Sequence, residues 1–353
     1  MYLALKEIRH EKLRYGLIIG MILLVTYLVF ILGALANGLA QQNTQAINSW
    51  NTAQVVLTKD SDTNLNQSLL TLKQTKPINL NNSQAYVGTI GAVATSKKRP
   101  DIRSTVVGLD WNQYIGKNML MASGHRVQSD KQIVVDNQFE NEGYKLGDRV
   151  NLISNGQQYT IVGFTKNAKL SVSPVVYSTL ATWRKLRNLP SNFVASGIVS
   201  KTADFKINTS GLRTYTKEAF IQKLPGYSAQ ISTFSFMIGF LFVISIIVIA
   251  VFLYILTIQK IPNYAVLRAQ GVPVKVLVKT TIDQALILVT VGLILGGLMA
   301  SITAKVIPLG VPLIFSTNLV TTAILGILAT GLLGAIIPIR TILKVNPVTA
   351  IGG

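Results

Sequence analysis

Residues 232–258 read STFSFMIGFLFVISIIVIAVFLYILTI, an apolar run without a single charge. A helix rises about 1.5 Å per residue, so a run of this length can cross the roughly 30 Å hydrocarbon core of a bilayer. Three further runs of the same kind occupy residues 15–36, 284–304 and 318–339. Their spacing is uneven: one lies near the N-terminus and three lie in the last third. Between the first and second stand close to 200 polar, turn-rich residues with no comparable run. The expected fold class is an α-helical membrane protein, four transmembrane helices in a 1+3 arrangement, with a large α+β extracytoplasmic domain between helices one and two.

The net charge is +19. Somewhat more than half of the excess lies in residues 37–231, where 22 Lys or Arg face 11 Asp or Glu. The charge is scattered rather than gathered on one stripe, which argues against nucleic acid as a partner and suits a surface lying against anionic headgroups. The absence of cysteine excludes disulfides, thiolate chemistry and Cys-ligated metals. His10 and His125 fall on opposite sides of the expected membrane, with no carboxylate cluster at ligand spacing, so neither a metal site nor a catalytic triad is expected. No GxxxxGK[ST] phosphate cradle occurs, so this polypeptide is expected to bind no ATP and to be no enzyme. The spans carry no central ionisable group, which disfavours ion-coupled transport.

Lys6, Arg9, Lys12 and Arg14 precede the first run, Lys260, Arg268, Lys275 and Lys279 separate the second from the third, and Arg340 and Lys344 follow the fourth. By the positive-inside rule both termini and the 259–283 segment are cytoplasmic, and the large domain is outside. The expected layout is a cytoplasmic amphipathic N-terminus (1–14), a first span retained as a signal anchor (15–36), an extracytoplasmic α+β domain with a helical stalk (37–231), a second span (232–258), a cytoplasmic segment (259–283), a third span (284–304), an external loop (305–317), a fourth span (318–339) and a cytoplasmic C-terminus (340–353). Within the outer domain, strands are expected at 54–57, 86–94, 104–109, 132–135, 149–153, 159–164 and 193–199. Asn155-Gly156 suits a hairpin turn between the strands on either side. A helix with loop is expected over 64–84, and a helix over 216–224. Ile261-Pro262-Asn263 is expected to break the second span and leave a short helix over 264–270, ended by Gly271 and Pro273. Gly16-x-x-x-Gly20 and Gly292-x-x-x-Gly296 would permit close helix contact.

The stretch Asn263-Tyr-Ala-Val-Leu-Arg-Ala-Gln-Gly271-Val272 resembles the E-I-G-x-x-R-A-x-G-A segment that follows the second span in permeases of the MacB and FtsX type. Arg268, Ala269 and Gly271 match it, while Asn263 and Ala265 replace the usual acid and glycine. Val345-Asn-Pro347-Val-Thr-Ala-Ile351 is similar to that family's closing P-x-x-x-A-hydrophobic signature, and Leu146-Gly-Asp-Arg-Val150 with Tyr159-Thr-Ile-Val-Gly-Phe164 to its L-G-D-x-V and F-x-V-x-G strands. The resemblance implies a homodimeric permease that binds two copies of a separate ABC ATPase, which would hold the ATP and magnesium. Coupling would pass through Tyr264, Leu267, Arg268, Ala269, Gly271, Val272 and Pro347, and nucleotide-driven motion would be transmitted to the outer domains.

The segments Leu3 to Ile8, Lys12 to Tyr15 and Ala219 to Leu256 are similar to the heme-exporting permeases of Gram-positive bacteria. That subgroup implies extraction of heme, or another amphipathic molecule, from the outer side of the cytoplasmic membrane. A porphyrin could be gripped by aromatic faces and a heteroatom ligand; the candidates are Trp50, Tyr177, Tyr227, Phe234, Phe236 and Met237. An ordinary interfacial aromatic belt would present the same residues. The alternatives are an FtsX-like, non-transporting regulator of a cell-wall hydrolase and a lipoprotein- or peptide-exporting permease.

Overall fold

The computed structural model describes residues 11–152, 156–308 and 311–345. They form two compact units, an α+β unit over residues 39–230 and a helical unit built from the segments on either side.

Five helices concern the helical unit: α1 (Lys12–Ser49), α2 (Tyr227–Ala269), α3 (Val274–Val306), α4 (Thr317–Gly334) and α5 (Ile336–Leu343). Among the described residues four stretches, with α4 and α5 taken as one, are long and apolar enough to cross a membrane. Lipid tails are as apolar as leucine, so such helices associate by close packing rather than by hydrophobic burial. Here glycines provide the closeness. A Cβ at Gly292 of α3 would lie 2.5 Å from Ile22 Cγ2 of α1, and one at Gly296 would lie 2.8 Å from the Leu23 carbonyl oxygen. Gly331 is pressed against Val289 in the same way, and Gly334 against Ile249. Gly16 and Gly20 differ, for neither has an atom within 4 Å of the corresponding position. A buried polar contact between Ser245 and Thr330, 3.1 Å between hydroxyls, joins α2 to α4.

The segment between α3 and α4 straps α1. Ile314 N–H donates to the Ala34 carbonyl at 3.1 Å, Asn37 Nδ2 donates to the Ile314 carbonyl at 3.0 Å, and Gly38 lies directly under Pro312.

The expected break at Ile261-Pro262-Asn263 does not occur, because α2 runs through Pro262 to Ala269. A proline inside a helix costs about 3 kcal/mol through its missing N–H and its ring clash. Tyr264, next to Ala265, is buried with Leu277 and Ile342, and Leu267 packs against them. Each buried large apolar side chain contributes about 1.5–3 kcal/mol, which outweighs that cost. Pro338 acts differently. It removes the N–H that would bond to the Gly334 carbonyl, and α4 gives way to α5 at Ala335.

The α+β unit centres on an eleven-stranded mixed sheet. In chain order its strands are β1 (Gln54–Thr58), β3 (Gln84–Ser96), β4 (Arg99–Leu109), β5 (Met121–Gly124), β6 (Gln132–Asp136), β7 (Arg149–Asn151), β8 (Gln158–Thr165), β9 (Lys169–Leu170), β10 (Ser173–Thr179), β12 (Gly197–Ser200) and β13 (Leu212–Thr216), while β2 (Leu70–Thr71) and β11 (Phe193–Ala195) form a separate pair. The spatial order is β13-β1-β12-β3-β4-β10-β6-β8-β5, with β7 and β9 at the side. β10 runs parallel to β4 and antiparallel to β6.

Gly88 and Gly108 face each other across the β3–β4 hairpin and make a floor for Trp183. A Cβ at Gly88 would lie 2.3 Å from the indole. The Trp183 Nε1 donates to the Thr89 carbonyl at 3.0 Å.

The expected hairpin pairs Arg149 with Thr160 and Asn151 with Gln158, while Asn155 lies outside the described residues. Residues 64–84 hold turns, β2 and a single helical turn at Leu72–Thr75, rather than a longer helix. The expected strand over 193–199 is two strands in two different sheets. They part at Ser196, whose Oγ accepts from Thr89 N–H and whose own N–H donates to the Val87 carbonyl.

Candidate functional site

The last turn of α2 is closed by a Schellman arrangement. Val272 N–H donates to the Leu267 carbonyl and Gly271 N–H to the Arg268 carbonyl, both at 3.0 Å. Gly271 has φ +90°, a left-handed conformation that costs a residue with a Cβ about 1–2 kcal/mol. The Arg-Ala-x-Gly pattern is thus a helix stop with Leu267 and Val272 as its apolar pair. The Arg268 guanidinium donates to the Val345 carbonyl, tying α2 to the end of α5. Tyr264, Leu277 and Ile342 form a small core beneath, with Leu267, Val274 and Val278 against it. At the start of α1, Lys260 Nζ donates to the Tyr15 hydroxyl at 3.1 Å and lies 5.7 Å from its ring, and the Arg14 guanidinium donates to Gln259.

One end of the helical unit is therefore locked from four directions. Val266, Ala269, Gln270, Lys275, Val276 and Lys279 remain exposed there. Among the residues expected at a coupling surface, Tyr264 and Arg268 turn inward as supports, Leu267 and Val272 are half-buried, and Ala269 and Gly271 lie on the surface. Pro347 lies outside the described residues.

The aromatic candidates divide into two groups. Phe236 is 69% exposed, and its ring meets Phe240 edge to face with centroids 4.9 Å apart. Met237 is exposed beside it, and Phe234 is half-buried. Phe240 was not singled out from the sequence, although its i+4 spacing from Phe236 is the signal that finds it.

The other group belongs to the α+β unit. Trp50 is expected at a membrane boundary, yet it is 3% exposed and packed in the unit's main core. α1 continues to Ser49, which carries Trp50 about 20 Å beyond the expected end of the first span at Ala36. Tyr177, on β10, is also buried there, and Trp50 Nε1 donates to its hydroxyl at 3.1 Å. Burial lifts the Tyr177 phenol above its ordinary value, against the smaller opposing effects of its bonds to Trp50 and Ser49. Tyr227 packs against the same core. Trp50 and Tyr177 form part of the wall of a 650 Å³ cavity, beside Gln41, Gln45 and Asn48 on α1 and Lys166 on the facing loop. Carboxamides, one ammonium and an aromatic wall can hold an amphipathic molecule with a polar edge. Among the described residues no cluster of His, Asp or Glu is placed to hold a metal ion.

The MacB-like periplasmic core domain matches residues 15–206, more than half of the chain, and the FtsX-like permease C-terminal domain matches residues 235–347. A Staphylococcus haemolyticus protein provisionally named hemin transport system permease protein HrtB is 27% identical over all of this chain and 99% of its own length. A Staphylococcus epidermidis protein with the same provisional name is 25% identical over the same shares. An uncharacterised ABC transporter permease of Mycobacterium tuberculosis is 22% identical over 60% of this chain and 59% of its own.

Proposed function

From its membership of the MacB/FtsX-type ABC transporter permeases, non-catalytic membrane subunits with an extracytoplasmic domain, we propose that this chain drives export of an amphipathic substrate, heme first among the candidates. Two copies of an ABC ATPase would bind the locked end of the helical unit, with both termini and the α2–α3 turn in the cytoplasm. The observation that carries this reading is the Schellman-capped end of α2. Its Val266, Ala269 and Gln270 are exposed, while Arg268 and Tyr264 anchor it from behind, so a push there is delivered to a braced helix rather than absorbed by a loop. α2 continues without interruption from that end back to Tyr227, and α1 runs from Lys12 to Ser49, so both are stiff enough to transmit force.

The proposed second copy of the permease would meet α1 along Leu13, Gly16, Leu17, Gly20 and Leu24. These residues share one helical face, the three leucines are exposed, and the glycines have no neighbour near Cβ. Heme would be taken at the Phe236–Met237–Phe240 surface, where exposed ring faces and a thioether lie together. The names of the full-length relatives support heme over other amphiphiles.

The test is copurification of an ABC ATPase with the tagged permease, followed by hydrolysis assays in nanodiscs with hemin and unrelated amphiphiles. Hemin should stimulate hydrolysis, and deletion of the gene should sensitise cells to hemin. Stimulation by other amphiphiles alone would remove heme and keep the exporter. A division or lysis defect with unchanged tolerance would favour a regulator of a cell-wall hydrolase, and failure of any ABC ATPase to bind would overturn the reading.

A further inference from the structure

The 650 Å³ cavity of the α+β unit is walled entirely from within residues 39–230. Six of its fourteen lining residues are Asn or Gln, which makes the carboxamide its main recognition group. Gln41, Gln45, Asn51, Asn118 and Asn167 supply five of these, Lys166 adds an ammonium, and no carboxylate lines the space. Among the described residues none of these six side chains makes a hydrogen bond or an ion pair. Gln45 is half-buried and the other five are exposed, so all can meet a solute. The aromatic floor is different. Trp50 Nε1 donates to the Tyr177 hydroxyl and both side chains are buried, so their polar atoms are spent on each other. Recognition therefore falls to the amides and the ammonium around them.

Two of the carboxamides are presented by left-handed backbone, Asn51 at φ 52° and Asn167 at φ 55°. Glycine makes such turns most cheaply, and asparagine makes them while adding a donor and an acceptor. The segments that carry these groups are held in place. The Asn51 N–H donates to the Asn48 carbonyl at 3.0 Å, and Ser49 Oγ donates to the Ala46 carbonyl at 2.8 Å. On the facing loop the Thr165 carbonyl accepts from the Asn137 N–H at 2.8 Å, and the Ala168 N–H donates to Asp136 Oδ2 at 3.0 Å. Thr165 Oγ1 donates to the Leu120 carbonyl at 2.8 Å and so joins that loop to the third wall. Groups fixed before a ligand arrives lose little freedom when it binds. The third wall is apolar: Ile115, Met119 and Leu120 line it, and Leu120 is 86% exposed.

We propose that this cavity binds a disaccharide of N-acetylated amino sugars. A carboxamide both donates and accepts, and so does a sugar hydroxyl, so amides arriving from several walls suit a ligand ringed with hydroxyls. The Lys166 ammonium only donates, and a hydroxyl or carbonyl oxygen can receive it. An acetamido group matches a carboxamide through two reciprocal N–H to carbonyl bonds, and its methyl would cover the bare Leu120 beside Met119. A sugar carrying hydroxyls alone would leave that leucine in water. The volume is within the roughly 300–1,000 Å³ of small-molecule sites and holds about 22 waters at about 30 Å³ each, which is room for two sugar rings. This site shares no residue with the α2 surface assigned to heme, and the proposal does not depend on that assignment.

The full-length chain in nanodiscs, with Ile, Leu and Met methyls labelled, is titrated with N,N′-diacetylchitobiose and followed by NMR. Saturable shifts are expected at Ile115, Met119 and Leu120. Asn51→Gly and Asn167→Gly keep the left-handed turns and remove the carboxamides, so each should bind about three- to tenfold more weakly with the methyl spectrum elsewhere unchanged. Cellobiose, which has hydroxyls in place of the acetamido groups, should bind at least tenfold more weakly than the acetylated sugar. The proposal is overturned if the three methyls do not saturate, or if both glycine variants bind like the parent. Equal binding of cellobiose would overturn the acetamido class.

Discussion

Gly296→Ala adds one methyl group where α3 crosses α1, and the structure sets its effect. The new Cβ would lie 2.8 Å from both the Leu23 carbonyl oxygen and Thr26 Cβ. Ordinary contact begins at 3.4 Å, so the helices must part by about 0.6 Å (3.4 − 2.8) at that point. The Leu23 carbonyl belongs to a helix and cannot rotate aside. For Gly292→Ala the nearest atom is Ile22 Cγ2 at 2.5 Å, which requires about 0.9 Å (3.4 − 2.5) of movement by a side chain or the helix. A gap of 0.5–1 Å forfeits a quarter to a half of each contact's roughly 0.1–0.2 kcal/mol of attraction. Over about thirty such contacts along the seam the loss is about 0.75–3 kcal/mol, in line with the roughly 1–3 kcal/mol usual for overpacking. The assay is reversible SDS unfolding of the purified chain in mixed micelles, followed by far-UV circular dichroism. Gly16→Ala and Gly20→Ala carry the same chemistry in the same kind of motif, but no neighbour lies within 4 Å. In the monomeric chain, without the second copy proposed to pack there, they should change stability by less than about 0.5 kcal/mol. Equal losses in both pairs, or none at Gly296, would refute the assignment of the α1–α3 seam.

Gly271→Ala has open space for its Cβ, so its cost is the left-handed backbone alone, about 1–2 kcal/mol. ATP hydrolysis stimulated by the permease should fall several-fold with the global unfolding midpoint little changed; full stimulation would contradict the role given to the cap. Trp50→Phe deletes the donor to the buried Tyr177 hydroxyl and should destabilise the α+β unit by about 1–2 kcal/mol. In a double-mutant cycle, Tyr177→Phe should cost less in the Trp50→Phe background than alone, and additive losses would argue against a coupled pair. Asp136 has its carboxyl raised by burial, despite the bonds it accepts from the Gln138 and Ala168 N–H groups. The folded state therefore holds the proton more tightly than the unfolded chain does. Between the ordinary carboxylate value and the raised one, stability should fall as pH rises. Asp136→Asn should remove that part of the slope in urea titrations at stepped pH, and parallel slopes in the two proteins would count against it.

The four spans were legible because a run without charge has few other uses, and the end of α2 was legible because Gly271 and Pro273 carry their own backbone restrictions. The continuation of α2 through Pro262 was not. Local propensity assigns a break there, whereas Leu277 and Ile342, which hold Tyr264 in place, come from distant parts of the chain. β10 was missed for a similar reason. Pro174 discourages a strand assignment, yet the pairing with β4 begins at Val175, so the missing N–H is no loss to that ladder. Trp50 and Tyr177 stand out in the sequence only as aromatics, and the length of α1 decides which environment receives Trp50.

Pro262 also works as a tide mark. Without its N–H, the Ile258 carbonyl loses the partner that every other turn of α2 supplies, and hydrocarbon offers no substitute. Water at the membrane surface would supply that partner most simply, and on that expectation the lipid shoreline lies on the N-terminal side of Ile258. A rise of about 1.5 Å per residue then places the far shore some 20 residues earlier, near Ile238. A single imino acid would thus gauge how deep this helix sits in its bilayer, and moving it by one turn would move the bare carbonyl about 5.4 Å along the rod.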